Sequence, residues 1–258
     1  MHNRTMLMKC PAVKVYTASV DCLEDPSLLG KWLVRVPALR REKAESLRNP
    51  AVRRLSLGAG ALLTCALLEH FTRPDETLWD PADPEGSGKD DNRCLLTEKI
   101  RLLRIEEDEH GRPYLPDHPE ICFSLSHSGN RVMCAVSGTE VGCDVEEIKE
   151  AVTGGRNIPR AARCFTPAEQ ELVLADPENF YRIWTLKESF LKLTGEGIRL
   201  PLSSFEITLD PLSIRQDIIS DHISIKEYGQ ISGYQYSCMS VAGTMEDRMI
   251  SVDLSDLR

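Results

Sequence analysis

The stretch from Phe180 to Gly195 limits most strongly how this chain can fold. It contains no proline, has good helix formers through its middle and closes on a glycine, so it predicts a helix. Ile183, Leu186, Phe190 and Leu193 place apolar groups on several faces, and a helix apolar around so much of its circumference is largely buried. The same stretch carries Lys187, Glu188 and Lys192. Trp184, Glu188 and Lys192 stand at i, i+4 and i+8 and therefore share one face. A charge does not sit in a core unless it is paired or binds something. An internal Glu188–Lys192 ion pair would satisfy that rule, and so would a ligand.

Charge elsewhere in the chain bears on the choice. The 258 residues suffice for one large domain or two small ones, and the net charge of −9 argues against a general nucleic-acid binder. Against that acidic background, residues 31–54 hold eight basic side chains (Lys31, Arg35, Arg40, Arg41, Lys43, Arg48, Arg53, Arg54) and two acids (Glu42, Glu45), a local balance of +6. Such a run is often just a solvated helix face, but the contrast of sign also suits an anion site. The nine cysteines include no CxxC pair, which argues against a zinc site and for reduced thiols. No run reads as a membrane span and Met1–Cys10 lacks the apolar core of a signal peptide, so a cytoplasmic protein without a membrane role is expected.

The periodicity outlines two halves meeting near residues 138–142. In the first, Val13–Tyr16 alternates as a strand, 28–36 is helix or loop, and Arg54–Phe71 is a buried helix. Asp80–Arg93, rich in Pro, Gly and Asp, reads as a surface loop, and Ile100–Ile105 as a strand. Cys122–His127 and Val132–Val136 flank a Ser-Gly-Asn turn and predict a hairpin. In the second, Val141–Ile148 is strand-like. Thr166-Pro167 followed by Glu169 starts a helix running to Ala175. Strands are expected at 201–209, 218–228, 233–241 and 249–254. The fold class is α+β, with the halves taken as 1–139 and 140–258.

Asp144 and Glu146 flank Val145 in a strand, and a period of two puts both carboxylates on one side of the sheet. Two anions so close repel unless a cation lies between them. With Glu188 from the helix, three oxygen donors suit a hard divalent ion, Mg²⁺ or Mn²⁺. Lys187 and Lys192 beside such an ion suit a phosphorylated ligand. Ser126, His127 and Ser128 add donors at a strand end.

These residues resemble a known pair of motifs. Gly142-Cys143-Asp144-Val145-Glu146, followed by Trp184-Thr185-Leu186-Lys187-Glu188 and Lys192, is similar to the two signatures of the 4′-phosphopantetheinyl transferases. The length and Ser126-His127-Ser128 resemble the surfactin-synthetase-activator (Sfp-like) class. So do Gly111-Arg112-Pro113, Phe165 to Glu169, and Arg54 to Gly58. The resemblance spans about residues 38–210. It implies a pseudo-twofold pair of subdomains, each a small antiparallel sheet packed on a long helix, and a monomer. It also implies coenzyme A as co-substrate and an apo acyl or peptidyl carrier protein as partner. Asp144, Glu146 and Glu188 would hold the metal; Glu188, Lys192 and His127 would act in catalysis. Arg40, Lys43, Arg54, Arg112, Pro113, Ser126, His127, Lys187 and Lys192 would bind coenzyme A. Ala51 stands where the class often has an aspartate, and Arg112 where it has a lysine. The alternatives are a Mg²⁺-dependent phosphoesterase acting on a nucleotide and a non-catalytic module that binds coenzyme A or a carrier.

Overall fold

The computed structural model describes residues 12–72, 89–153 and 160–256. The segments 1–11, 73–88, 154–159 and 257–258 lie outside the described residues, and with them most of the expected 80–93 loop. The first half runs β1 (Ala12–Ser19), α1 (Pro26–Leu33), α2 (Ala38–Ser46), α3 (Pro50–Phe71), α4 (Lys89–Arg101), β2 (Glu106–Glu107), β3 (Pro113–Tyr114), β4 (Cys122–Ser128) and β5 (Arg131–Ser137). The second runs β6 (Val141–Glu147), α5 (Glu150–Thr153), α6 (Pro167–Ala175), α7 (Asn179–Thr194), β7 (Glu206–Leu209), β8 (Leu212–Arg215), β9 (Ile223–Tyr228), β10 (Tyr234–Val241), β11 (Thr244–Met245) and β12 (Ile250–Ser251). The architecture is mixed α+β, as expected.

Two sheets place the site, the first mixed and the second antiparallel. In the first, β5 lies between β1 and β4, and the short C-terminal strands β11 and β12 return to pair in parallel with β1. In the second, β10 lies between β6 and β9. α3 covers the first sheet with Leu57, Leu62, Leu63, Ala66 and Leu67 fully buried. α3 is long and apolar enough to cross a membrane, contrary to the sequence reading, but 61% of that apolar window is buried inside the fold. α7 covers the second sheet and buries Leu186, Phe190 and Leu193 against Phe205, Ile207 and Met239.

Several local expectations hold for stated reasons. α6 starts with a capping box: Thr166 Oγ1 accepts from the Glu169 N–H, and Glu169 accepts from the Thr166 N–H at 2.8 Å. α7 ends at Gly195 with φ 76°, a left-handed position that glycine occupies without penalty. Other expectations fail, among them the strands at 218–228 and 249–254, which shrink to Ile223–Tyr228 and Ile250–Ser251. Lys89–Arg93 is the first turn of α4 rather than loop, and Ile100 belongs to the same helix rather than to a strand. The apolar positions Leu96, Ile100 and Leu103 follow helical spacing and pack on the first core. Lys99 and Arg101 in the last turn complement the helix dipole. Strand 201–209 is also shorter than expected, since Leu202–Ser204 is a 3-10 turn and β7 begins at Glu206.

Candidate active site

β4 and β6 are edge strands of different sheets, and their facing side chains meet along a seam. β6 presents Asp144 and Glu146 to this seam, as period two requires. From the other side β4 presents Ser124, Ser126 and Ser128. The Ser126 hydroxyl donates to Asp144 Oδ1 at 2.6 Å, and the Ser128 hydroxyl donates to Glu146 Oε2 at 2.7 Å. Ser124 Oγ accepts from the Cys143 N–H at 3.1 Å.

α7 closes the third side. It reaches β6 because residue 142 is glycine: a Cβ there would stand 2.0 Å from the Ser189 carbonyl oxygen and 2.4 Å from the Leu193 nitrogen. The expected face of α7 then meets the carboxylates. Trp184 Nε1 donates to Glu146 Oε1 at 3.2 Å. Lys192 Nζ donates to Asp144 Oδ1 at 2.8 Å and to the Cys143 carbonyl at 3.0 Å. Of the two possibilities left open for Lys192, an internal pair with Glu188 is not the one formed; Lys192 pairs with Asp144. An ammonium has three N–H donors, so one remains for a ligand.

The electrostatics fit an anionic pocket short of positive charge. Burial raises the Glu188 carboxyl above its usual range; Asp144 and Glu146 add to the rise and Lys192 opposes it. Burial likewise raises Glu146, against the hydrogen bonds from Ser128 and Trp184, and Asp144 pushes the same way. For Lys192, burial works downward most strongly, but Asp144, Cys143 and Glu188 together hold the ammonium above its ordinary value. Three carboxylates face one ammonium. Asp144 Oδ2 is buried with no hydrogen-bond partner, a costly state for a carboxylate oxygen.

Those features test the expected metal. Oxygen donors, surplus negative charge and an orphaned buried oxygen fit a hard divalent cation. As the side chains stand, no three His, Cys, Asp or Glu groups among the described residues are gathered tightly enough to chelate an ion. Asp144 and Glu146 are fixed by their donors, whereas Glu188 influences both electrostatically but is not drawn into one ligand set with them.

The remaining sequence candidates separate. His127 is exposed at the end of β4, yet enough protein surrounds the ring that desolvation lowers it, with Lys192 and Arg40 acting in the same direction. Arg40 is buried on α2, donates to the Ser56 carbonyl at 3.0 Å and leaves its Nε unpartnered. It lies within electrostatic reach of His127. Lys43 pairs with Glu107 at 3.2 Å and Arg54 with Glu24 at 3.3 Å. Arg112 pairs with Glu140 and lies beside Gly195 at the end of α7, next to Pro113 in β3.

Lys187 is elsewhere. It is fully buried and spends its three donors on Glu169 Oε1 at 2.8 Å and the carbonyls of Leu202 and Phe205 at 2.6 and 2.8 Å. No N–H is left for a phosphate, so its assignment beside Lys192 is corrected. The reason is the helix itself: residue 187 is rotated by about 100° from residue 188 on a helix of 3.6 residues per turn, which turns it away from the Trp184–Glu188–Lys192 face. Ser128 and Trp184, as donors to Glu146, and Glu169, as partner of Lys187, were not assigned these roles from the sequence. The serines at 124, 126 and 128 do share the period of two that Asp144 and Glu146 show.

A family model for the 4′-phosphopantetheinyl transferase superfamily matches residues 140–237, the strand–helix half that carries the carboxylates. A 4′-phosphopantetheinyl transferase of Bacillus subtilis is 40% identical over 106 residues, which is 39% of this chain and 45% of that protein. The 4′-phosphopantetheinyl transferase Sfp of Bacillus subtilis strain 168 is 31% identical over 177 residues, 64% of this chain and 77% of Sfp. The 4′-phosphopantetheinyl transferase gsp of Aneurinibacillus migulanus is 30% identical over 183 residues, 63% of this chain and 74% of that protein. The chain belongs to the 4′-phosphopantetheinyl transferase superfamily, a class of transferases. Within that class it sides with the Sfp-like members.

Proposed function

We propose that this protein transfers the 4′-phosphopantetheine group of coenzyme A to a serine hydroxyl of an apo acyl or peptidyl carrier protein, releasing 3′,5′-ADP. The observation that supports the reading is the bond from Lys192 Nζ to Asp144 Oδ1 on the strand that also carries Glu146, within electrostatic reach of Glu188, in a chain whose relatives are named 4′-phosphopantetheinyl transferases.

The chemistry is displacement at phosphorus. The serine oxygen attacks the β-phosphorus of coenzyme A, the bond from that phosphorus to the bridging oxygen breaks, and the electron pair leaves with 3′,5′-ADP. Glu188 takes the serine proton, directly or through a water. The free N–H of Lys192 points charge at the leaving phosphate and offsets the negative charge that develops there. Arg40 and His127 hold coenzyme A phosphates; Ser126, expected beside them, has its one hydroxyl proton on Asp144 and serves to orient that carboxylate. Lys43, Arg54 and Arg112 join them by exchanging their present carboxylate partners for phosphate. Mg²⁺, or Mn²⁺, held by Asp144, Glu146 and Glu188 would supply charge neutralisation to the pyrophosphate. Orientation and electrostatics account for most of the acceleration in such a site.

The subdomains 1–139 and 140–258 would act as a pseudo-twofold pair, with coenzyme A lying along their seam. That arrangement suits a monomer, the free thiols suit a reducing compartment such as the cytoplasm, and the net charge of −9 speaks against nucleic acid as a partner. Mass spectrometry of an apo carrier incubated with coenzyme A, Mg²⁺ and this protein tests the reading. Gain of phosphopantetheine on the carrier supports it. Cleavage of coenzyme A without addition would make the protein a phosphoesterase, and metal-independent binding without reaction would make it a binding module.

A further inference from the structure

β4 and β6 run in the same direction along the seam, since Ser124, Ser126 and Ser128 meet Cys143, Asp144 and Glu146 in matching order. They belong to different sheets, and serine side chains make the bonds that a backbone ladder would otherwise make. Ser128 has the most constrained hydroxyl of the three. Its oxygen accepts from the Glu147 N–H at 3.1 Å, so its single proton is directed at Glu146 Oε2, 2.7 Å away. The opposite oxygen, Oε1, is held by Trp184 Nε1 from α7. Glu146 is thus clamped on both oxygens by groups from two other elements, and each oxygen keeps a lone pair.

Glu188 differs: among the described residues no hydrogen bond fixes its carboxylate. The pocket therefore combines carboxylates locked in place with one left free to move. A bound cation gains most from ligands that need no reordering, and removing a group that orients such a ligand typically costs about 10–100-fold in metal affinity.

We propose that Ser128 is a positioning residue for Glu146: by bridging the two sheets it fixes the carboxylate in the orientation that takes up the divalent cation. The proposal rests on the reading of Asp144, Glu146 and Glu188 as the cation-binding carboxylates of the transferase. Ser128 does not touch the reacting atoms, so its removal acts on metal uptake before it acts on turnover.

The test is calorimetric titration of Mg²⁺ into the full chain saturated with coenzyme A, for the native protein, Ser128→Ala and Ser128→Thr. The kinetic KM for Mg²⁺, kcat at saturating Mg²⁺ and the thermal midpoint are measured alongside. Ser128→Ala is expected to weaken Mg²⁺ binding by roughly tenfold to a hundredfold. The loss appears in KM for Mg²⁺ far more than in kcat, and Ser128→Thr, which restores the hydroxyl, recovers most of it. If Ser128→Ala does not fold, Ser128→Cys keeps the volume with a weaker donor and is expected to show the same direction of change. A native Mg²⁺ constant in the alanine or cysteine variant, with or without a lowered melting point, overturns the positioning role. If the native chain takes up no Mg²⁺ at all, the cation reading itself falls and the proposal falls with it, an outcome the native titration alone separates from the first.

Discussion

Gly142→Ala adds one methyl group at the closest approach of β6 to α7. The new Cβ would lie 2.0 Å from the Ser189 carbonyl oxygen, 2.4 Å from the Leu193 nitrogen and 3.0 Å from the Leu193 Cα. All three are backbone atoms, so no side-chain rotation can relieve the clash. A carbon normally approaches a carbonyl oxygen no closer than about 3.3 Å, so strand and helix must separate by about 1.3 Å. β6 is anchored along β10 from Val141 to Glu147, so the displacement falls on α7. Lys192 then withdraws from Asp144 and from the Cys143 carbonyl, now 2.8 and 3.0 Å away, and both bonds pass beyond normal length. Overpacking of this kind costs about 3 kcal/mol, the upper part of its usual range because only backbone can yield. Misplacing Glu188 and Lys192 by about 1 Å lowers kcat/KM by roughly a hundredfold. Urea denaturation followed by circular dichroism reads the first effect. Transfer to an apo carrier, assayed by mass spectrometry at a temperature where the variant is folded, reads the second. A variant with native midpoint and near-native kcat/KM would refute both the contact and its role in aligning the site.

Three other perturbations separate charge from packing. Glu188→Gln should abolish transfer while leaving the metal-free protein as stable as before or slightly more so. Burial raises the folded-state carboxyl, so the folded chain binds more protons than the unfolded one just above the ordinary glutamate range, and stability falls as pH rises through that window. The amide variant loses that dependence; thermal melts against pH without Mg²⁺ check it, and a large drop in melting point at neutral pH would contradict it. Lys187→Met strands the buried Glu169 carboxylate and two carbonyls, at a cost of about 3–5 kcal/mol. Chemical denaturation measures this, and a native KM for coenzyme A in the folded fraction is expected because Lys187 does not face the pocket. Thr166→Ala removes half of the α6 capping box and should cost about 1 kcal/mol, read by the same denaturation series with activity unchanged.

Local pattern carried a large part of this protein. The period of two at residues 144 and 146, the i, i+4, i+8 face of Trp184, Glu188 and Lys192, and the Thr166-Pro167 helix start are encoded within a few residues of chain. The structure reproduces all three. Alternation and helical spacing are properties of neighbours, so a sequence states them directly. The sequence could not state which partner each buried charge takes. Lys187 and Lys192 are both cations on one apolar helix, and only the packing of α6 and β7 on one side and β6 on the other sends Lys187 to Glu169 and Lys192 to Asp144. The same holds for α4, where Ile100 reads equally well in a strand until α3 supplies the surface it packs on. The edge-to-edge meeting of β4 and β6 likewise brings Ser128 to Glu146 across 18 residues of chain. Long-range partners are set by how sheets and helices stack, and a buried charge or hydroxyl must find whichever partner that stacking brings within reach.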